Sequence, residues 1–215
     1  MAWAAVVAAV ASLGYAAHFA ETAPAPPDLL FRWSTAIATF GLDLVLLFLL
    51  LLIARGLPLR DAFALRAPRS WAEALRIAGA ALVAIWTTSL VLELAVGHAA
   101  REQAVPQYWD PARAPAFIAS ALAIAVFVPI VEEAMCRGIG FTLLARWGER
   151  VAIAGSAVAF ALAHGAILDL PWVLVTGLGL GYLRARTGSL YPCIALHATV
   201  NGIAVLASVL VGASA

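Results

Sequence analysis

Four polar residues in the C-terminal half of the chain combine side chains that could hydrolyse an amide bond. They are a carboxylate, two imidazoles and a carboxamide, set in stretches that are otherwise almost wholly apolar: Glu132, His164, His197 and Asn201. A carboxylate can take a proton from a water molecule, and imidazole and amide groups can donate hydrogen bonds to a developing oxyanion. The residue types therefore indicate a hydrolytic site with water as the nucleophile.

Two adjacent glutamates are predicted to have different roles. Glu133 and Arg137 are four residues apart, which places them about 40° apart around a helix, whereas Glu132 and Arg137 are about 140° apart. We therefore expect Glu133 to form an ion pair with Arg137, and Glu132 to lie on another face and line a cavity.

The other polar residues follow the same helical spacing. His197 and Asn201 are four residues apart, so one helix face presents an imidazole and a carboxamide together. Phe160 lies one turn before His164 and is expected to pack against it and fix its direction. Three helices thus each supply part of one site.

Two chemistries remain open for this set. In one, Glu132 deprotonates water with help from His164, while His197 and Asn201 stabilise the tetrahedral intermediate. In the other, Glu132, His164 and His197 hold Zn²⁺, a His₂Glu ligand set with an open position for water. We favour the metal-free version and no cofactor, because Glu133 is committed to Arg137 and no other deep carboxylate remains to act as a base.

We predict that helices within a membrane position these residues. Of the 215 residues, 64% are hydrophobic and only 12% are charged, which leaves too little polar surface for a soluble domain. A helix needs about 20 apolar residues to cross a bilayer. Seven stretches come close to this length: 3–20, 36–54, 77–97, 117–143, 151–168, 172–184 and 190–211. We predict an all-α polytopic transmembrane bundle of about seven helices (6–8), with the site in the last four.

The arginines predict the orientation of this bundle. The chain has 13 arginines and no lysine. Placing the Arg-rich connector 55–76 in the cytoplasm puts nine arginines inside and three, Arg32, Arg101 and Arg113, outside. The N-terminus is then cytoplasmic and the C-terminus outside. Within the connector, Asp61 to Ala74 is expected to form a short interfacial helix, with Trp71 at the headgroup level.

Depth along the helices separates the candidate site from other ionisable residues. His18, Asp43 and Glu93 are interpreted as lying near helix ends, where their side chains can reach water or a packing partner. Glu132, His164 and His197 instead lie roughly 21, 21 and 16 Å below the inner arginines at 1.5 Å rise per residue. Three separate helices are therefore expected to bring their polar groups to one level.

Composition also excludes several classes of protein. The net charge of +1 without a basic tract argues against nucleic-acid binding. Cys136 and Cys193 both lie in apolar stretches, which indicates packing rather than a disulfide framework. The first apolar stretch lacks a preceding positive residue, so we interpret it as a transmembrane helix rather than a signal peptide. Residues 1–215 are treated as a single integral membrane domain, of unassigned oligomeric state.

Three sequence motifs resemble those of a known family. Residues 132–138 (EEAMCRG) are similar to an EExxxR motif, residues 160–164 (FALAH) to FxxxH, and residues 197–201 (HATVN) to HxxxN or HxxxD. In this order on successive membrane stretches they resemble the CPBP (CAAX protease and bacteriocin-processing, or Abi) family of intramembrane proteases, relatives of the Ras-converting CAAX endoprotease. The resemblance covers about 117–205 as a catalytic core and leaves 1–116 as N-terminal transmembrane helices.

The resemblance implies hydrolysis of a peptide bond. It makes Glu132 the general base, His164 its assistant, and His197 with Asn201 the oxyanion donors. It does not choose between metal-free and zinc-dependent catalysis, because the family has been described in both ways. Where relatives commonly carry Phe, this chain has Cys136, which we interpret as a small buried hydrophobe rather than a nucleophile.

The expected surroundings are a lipid bilayer, and the composition suggests a bacterial inner membrane. The substrate is expected to be a peptide or protein with a membrane-associated segment. One alternative is a catalytically idle family member that acts as a scaffold or immunity protein. Another is a transporter or proton relay, but this would need polar residues leading to both faces, and 117–131 carries no charged residue.

Overall fold

The protein is a bundle of helices. A computed structural model describes residues 2–20, 26, 28–96 and 109–212, and over these residues it contains no strand. Its eight helices are α1 (Ala2–Ala20), α2 (Trp33–Ile53), the single turn α3 (Leu59–Ala62), α4 (Trp71–Val96), α5 (Pro111–Trp147), α6 (Glu149–Ala163), α7 (Leu170–Thr187) and α8 (Tyr191–Gly212). The predicted all-α fold of about seven long helices is confirmed.

Several helices have the length and composition of membrane spans. Helices α1, α2, α4 and α5 are each apolar over a stretch long enough to cross a bilayer. Large apolar side chains on α2 face outward, among them Leu42, Leu44 and Phe48. In water such a surface would be unfavourable, whereas lipid makes it the expected one. The chain is an integral membrane protein.

The Arg-rich connector differs from the prediction. The expected interfacial helix Asp61 to Ala74 is wrong, because only Leu59–Ala62 forms a helical turn and Trp71 already begins α4. Ser70 sets that start, since its hydroxyl accepts a hydrogen bond from the backbone N–H of Glu73 at 3.2 Å. The connector therefore ends at residue 70 rather than 76.

Helix α6 is shorter than the apolar stretch 151–168 suggested. It ends at Ala163, and Gly165 follows with a φ of +63°, in the left-handed region that favours glycine. A Cβ atom on Gly165 would approach the backbone of Gly14 in α1 to 2.5 Å. This close approach fixes the end of α6, and with it His164, against the first helix.

Helix α5 changes its hydrogen-bond register twice. Residues Ala123–Phe127 and Ala134–Gly140 form π-helical turns on either side of Val128–Glu133. Pro129 explains the first, because proline lacks an N–H group and its ring crowds the preceding turn of an α-helix. π-Turns inside α-helices often occur at functional sites. The two glutamates thus lie on a short α-helical segment between two wider turns.

The core joins the N-terminal helices to the second π-turn. Trp3 of α1 donates a hydrogen bond from its indole to the carbonyl of Met135 at 2.8 Å. Cys136 is fully buried in the same core cluster, in agreement with a packing role. Helices α6 and α7 approach closely at Gly177, where a Cβ atom would lie 3.0 Å from Ala157. Arg101, predicted on the outer side of the membrane, is not among the described residues.

Candidate active site

Three of the predicted site residues meet around one carboxylate oxygen. His197 Nε2 lies 3.7 Å from Glu132 Oε2, and His164 Nε2 lies 4.0 Å from the same oxygen. They come from α8, α5 and α6, so the predicted convergence of three helices is confirmed. The side chains of Glu132 and His164 are 24% and 18% exposed, whereas that of His197 is 4% exposed. Glu132 and His164 are therefore the residues of the site that solvent or a substrate can reach most easily.

The neighbouring Glu133 is held by donors. Arg137 Nη1 donates to Glu133 Oε1 at 2.8 Å, so the predicted ion pair is confirmed, and both side chains are fully buried. Arg137 Nη2 also donates to the carbonyl of Gly177 in α7 at 2.9 Å. His197 Nδ1 lies 3.0 Å from the same Glu133 oxygen, a contact that spacing along the chain did not indicate. Glu133 thus links α5 to α8 as well as to its own helix.

The partners of the two imidazoles fix how their protons are arranged. His164 Nδ1 lies 2.8 Å from the carbonyl oxygen of Phe160, which can only accept, so this nitrogen carries a hydrogen. His197 Nδ1 faces the Glu133 carboxylate and carries one for the same reason. In a neutral imidazole the other nitrogen is then an acceptor. When both rings are neutral, both Nε2 atoms are therefore acceptors on the side of Glu132.

Glu132 contributes a third acceptor to the same small volume. Its Oε2 atom is buried and accepts no hydrogen bond from any residue that the structure describes. Three acceptors facing one another are unfavourable unless a proton, a water molecule or a cation lies between them. This arrangement suits a group that must take up a proton.

The Phe160 ring packs against both imidazoles of the site and against the guanidinium of Arg137. Its ring centroid lies 4.5 Å from that of His164 and 5.4 Å from that of His197. The guanidinium of Arg137 lies 4.3 Å from the same ring centroid. The predicted packing against His164 is confirmed, and the ring also contacts His197 and Arg137.

Asn201 is placed by a backbone carbonyl of α5. In the first π-turn Val128 N–H bonds to the carbonyl of Ala123, five residues earlier. The next residue in this register, Pro129, has no N–H to offer to the carbonyl of Ile124. Asn201 Nδ2 supplies that hydrogen bond at 3.0 Å. One of its two amide hydrogens is therefore occupied, and the other is available for a different acceptor.

Comparison with known proteins bears on the same part of the chain. Residues 114–203 match the model of a family described as type II CAAX prenyl endopeptidase Rce1-like. The match covers about two fifths of the chain, and we refer to residues 114–203, which are similar to that family, as the CAAX protease segment. No curated protein and no solved structure matches the chain. The CAAX protease segment contains all seven residues that the sequence singled out for the site: Glu132, Glu133, Arg137, Phe160, His164, His197 and Asn201.

One further carboxyl group comes from outside the CAAX protease segment. Asp43 was expected near a helix end, and this is wrong, because it lies in the middle of α2 and is only 4% exposed. Its Oδ2 atom is buried and, within the described part of the chain, has no hydrogen-bond partner. Asp43 and Glu132 are close enough for their charges to interact. The sequence signal for Asp43 was an ionisable residue within the otherwise apolar stretch 36–54.

Asp43 removes the argument by which the sequence favoured a metal-free site. That argument was that a zinc site would use Glu132 as a ligand and leave no other deep carboxylate to act as the base. For a zinc site, Glu132, His164 and His197 are suitable ligands, and the contacts of both Nδ1 atoms are of the kind that orient metal-binding histidines. Their separations of 3.7 and 4.0 Å exceed the roughly 3.3 Å edges of a tetrahedral zinc site. In their present positions, the described His, Cys, Asp and Glu side chains form no cluster of three that could hold a metal ion.

Proposed function

We propose that this protein is an intramembrane endopeptidase that cleaves a peptide bond in a membrane-associated protein or peptide. The observation that carries the proposal is the buried Glu132 Oε2 atom, which has no described donor and faces the Nε2 atoms of His164 and His197. A polar site at this depth in a membrane protein is expected to have a function. The match of residues 114–203 to an endopeptidase family supports the choice of reaction.

The proposed reaction begins with a water molecule held by Glu132 and His164. Glu132 takes one proton from the water while the oxygen bonds to the peptide carbonyl carbon, forming a tetrahedral oxyanion. The free amide hydrogen of Asn201 donates to that oxyanion. His197 donates as well in the form whose Nε2 also carries a proton. The proton on Glu132 then passes to the leaving nitrogen as the C–N bond breaks.

A zinc-dependent version is the second candidate. It is favoured by one observation, the two Nε2 atoms that lie 3.7 and 4.0 Å from one carboxylate oxygen. Zinc held by Glu132, His164 and His197 would supply an activated water at neutral pH. Asp43 would then be the remaining nearby carboxyl able to accept a proton.

One experiment tests the proposal and separates its two versions. The protein is purified in detergent, its bound metal is measured, and cleavage of membrane-anchored peptides is followed with and without a chelator. Full activity without metal supports Glu132 as the base, whereas stoichiometric zinc with chelator-sensitive cleavage supports the zinc version. If wild type and Glu132→Gln release the same products at the same rate, the protease proposal is wrong and a scaffold or immunity role takes its place.

The orientation belongs to the same proposal. Arg66, Arg69 and Arg184 lie around one cavity, so the connector and the end of α7 share one end of the bundle. We place this end in the cytoplasm, with the N-terminus inside and the C-terminus outside a bacterial inner membrane. Labelling of single cysteines introduced at Arg60 and at Asp110 by a membrane-impermeant reagent in intact cells tests this, with labelling expected only at 110.

A further inference from the structure

Arginines surround a cavity that none of the proposed catalytic residues lines. It has a volume of about 320 Å³ and lies where the connector meets the ends of α5 and α7 and the start of α6. Its polar lining includes Arg66, Arg69, Arg184 and Glu149, and Phe141 and Ala145 form an apolar wall. Four segments far apart in sequence therefore contribute to one basic cavity.

The arginines of this cavity outnumber the carboxylates that pair with them. Arg184 is buried, donates from Nε to the carbonyl of Arg137 at 3.0 Å, and places its guanidinium 4.9 Å from the ring centroid of Phe141. The positive charges of Arg66 and Arg69 are close enough to repel that of Arg184. Arg66 pairs with Asp61 at 3.7 Å, but among the described residues no carboxylate forms an ion pair with Arg69 or Arg184. Holding like charges together in this way is costly without an anion.

The opposite end of the bundle shows the contrast. There Arg32 and Arg113 both bind Asp28, at 2.6 and 3.1 Å, and Arg113 also binds Asp110 at 2.6 Å. These hydrogen bonds hold the pKa values of the Asp28 and Asp110 carboxyl groups below their usual range. Arg32 and Arg113 thus have carboxylate partners within the chain, whereas the cavity gathers guanidinium groups in excess of its acids.

We propose that the arginine cavity binds a phosphate group, supplied by the headgroup of an anionic phospholipid. Guanidinium groups match phosphate oxygens in geometry and charge, and basic pockets between membrane helices are typical sites for such headgroups. Trp71 and Trp147 are each 57% exposed at this end of the bundle, as expected at the membrane interface. A lipid phosphate can therefore reach the cavity while its chains remain beside the helices.

Such a lipid would also stabilise the neighbouring core. Arg184 holds the carbonyl of Arg137, and Arg137 in turn holds Glu133. Neutralising the charge around Arg184 would lower the cost of keeping it buried. We therefore expect headgroup binding to raise thermal stability even in a protein that lacks Glu132.

The test measures binding rather than cleavage, so its outcome is independent of the proposed protease activity. Detergent-purified protein is incubated with phosphatidylglycerol, with phosphatidylcholine or with inorganic phosphate, and bound lipid is counted by native mass spectrometry alongside thermal unfolding. The variants are Arg69→Gln, whose side chain is exposed in the cavity wall, and Arg76→Gln as a matched control, an exposed arginine of α4 that does not line the cavity.

We expect phosphatidylglycerol to be retained and to raise the unfolding temperature, with at least tenfold weaker binding by Arg69→Gln and no change in Arg76→Gln. Equal retention of phosphatidylcholine would overturn the proposal, and so would an Arg69→Gln protein that binds as wild type does. Protection by inorganic phosphate without retention of phosphatidylglycerol would show a soluble anion site and exclude the lipid headgroup as its source.

Discussion

Two neighbouring glutamates of α5 occupy opposite environments. Glu133 Oε1 accepts hydrogen bonds from Arg137 and His197, and its side chain is fully buried. Glu132 Oε2 has no described donor and lies 3.7 and 4.0 Å from the Nε2 atoms of His197 and His164, and its side chain is partly exposed. One residue of sequence therefore separates a carboxylate that accepts two hydrogen bonds, both at Oε1, from one that accepts none from the described residues, although Glu133 Oε2 also lacks a described donor.

This difference indicates how the site divides its tasks. A buried carboxylate that accepts from an arginine and from a histidine of another helix holds both side chains in place. A carboxylate without a described donor can instead bind a water molecule and take a proton from it. The Glu133 half is therefore expected to be structural and the Glu132 half chemical, and the two halves can be separated by substitution.

The largest effect is expected for Glu132→Gln. Glutamine keeps the shape of the side chain but is a very poor proton acceptor, so kcat should fall about 10³-fold, within the range that general bases contribute. The unfolding temperature should hardly change, since no described donor loses a partner. Peptide cleavage and thermal unfolding of the same preparation give both values. A fall in stability that accounts for the lost activity would contradict the division.

Glu133→Gln should show the reverse balance. Neutralising Glu133 leaves the fully buried Arg137 without its counter-charge, which typically costs about 3 kcal/mol or more. The measurement is the unfolding temperature in detergent, and Arg137→Gln should lower it similarly. The double variant Glu133→Gln/Arg137→Gln should be more stable than either single one, because it contains no isolated charge. An unfolding temperature close to wild type in both single variants would show that the ion pair does not support the site.

The comparison also shows what the sequence could predict. The all-helical membrane bundle, the Glu133–Arg137 pair and the meeting of Glu132 with both histidines followed from apolar length and the helical period. The contacts of His197 with Glu133 and of Asn201 with Ile124 join separate helices, and no spacing within one helix encodes them. The π-turns around the glutamates depend on Pro129 and on side-chain donors from other helices, so the regular α-helix assumed from sequence could not contain them.

Asn201→Ala tests how the chemical half holds its oxyanion. Removing the carboxamide should lower kcat about 10²-fold, as for loss of an oxyanion donor, with little change in KM. It also leaves the carbonyl of Ile124 without its donor, so the unfolding temperature should fall modestly. Thr199→Ala is a control on the same helix, since the Thr199 hydroxyl bonds only within α8. Equal losses of activity in the two variants would assign Asn201 to helix packing alone.

The smallest effect is expected for Asp43→Asn, which asks whether the chemical half extends beyond the CAAX protease segment. Asparagine keeps the size of the side chain and removes the second negative charge beside Glu132, so proton transfer from the water loses part of its electrostatic drive. We expect kcat to fall about tenfold, equivalent to about 1.4 kcal/mol. The unfolding temperature should stay constant or rise, because the substitution removes a buried carboxylate that has no described donor. Asp61→Asn, at an exposed aspartate of α3, is the control. An unchanged kcat in Asp43→Asn would return Asp43 to the bundle as a structural residue and confine the chemistry to α5, α6 and α8.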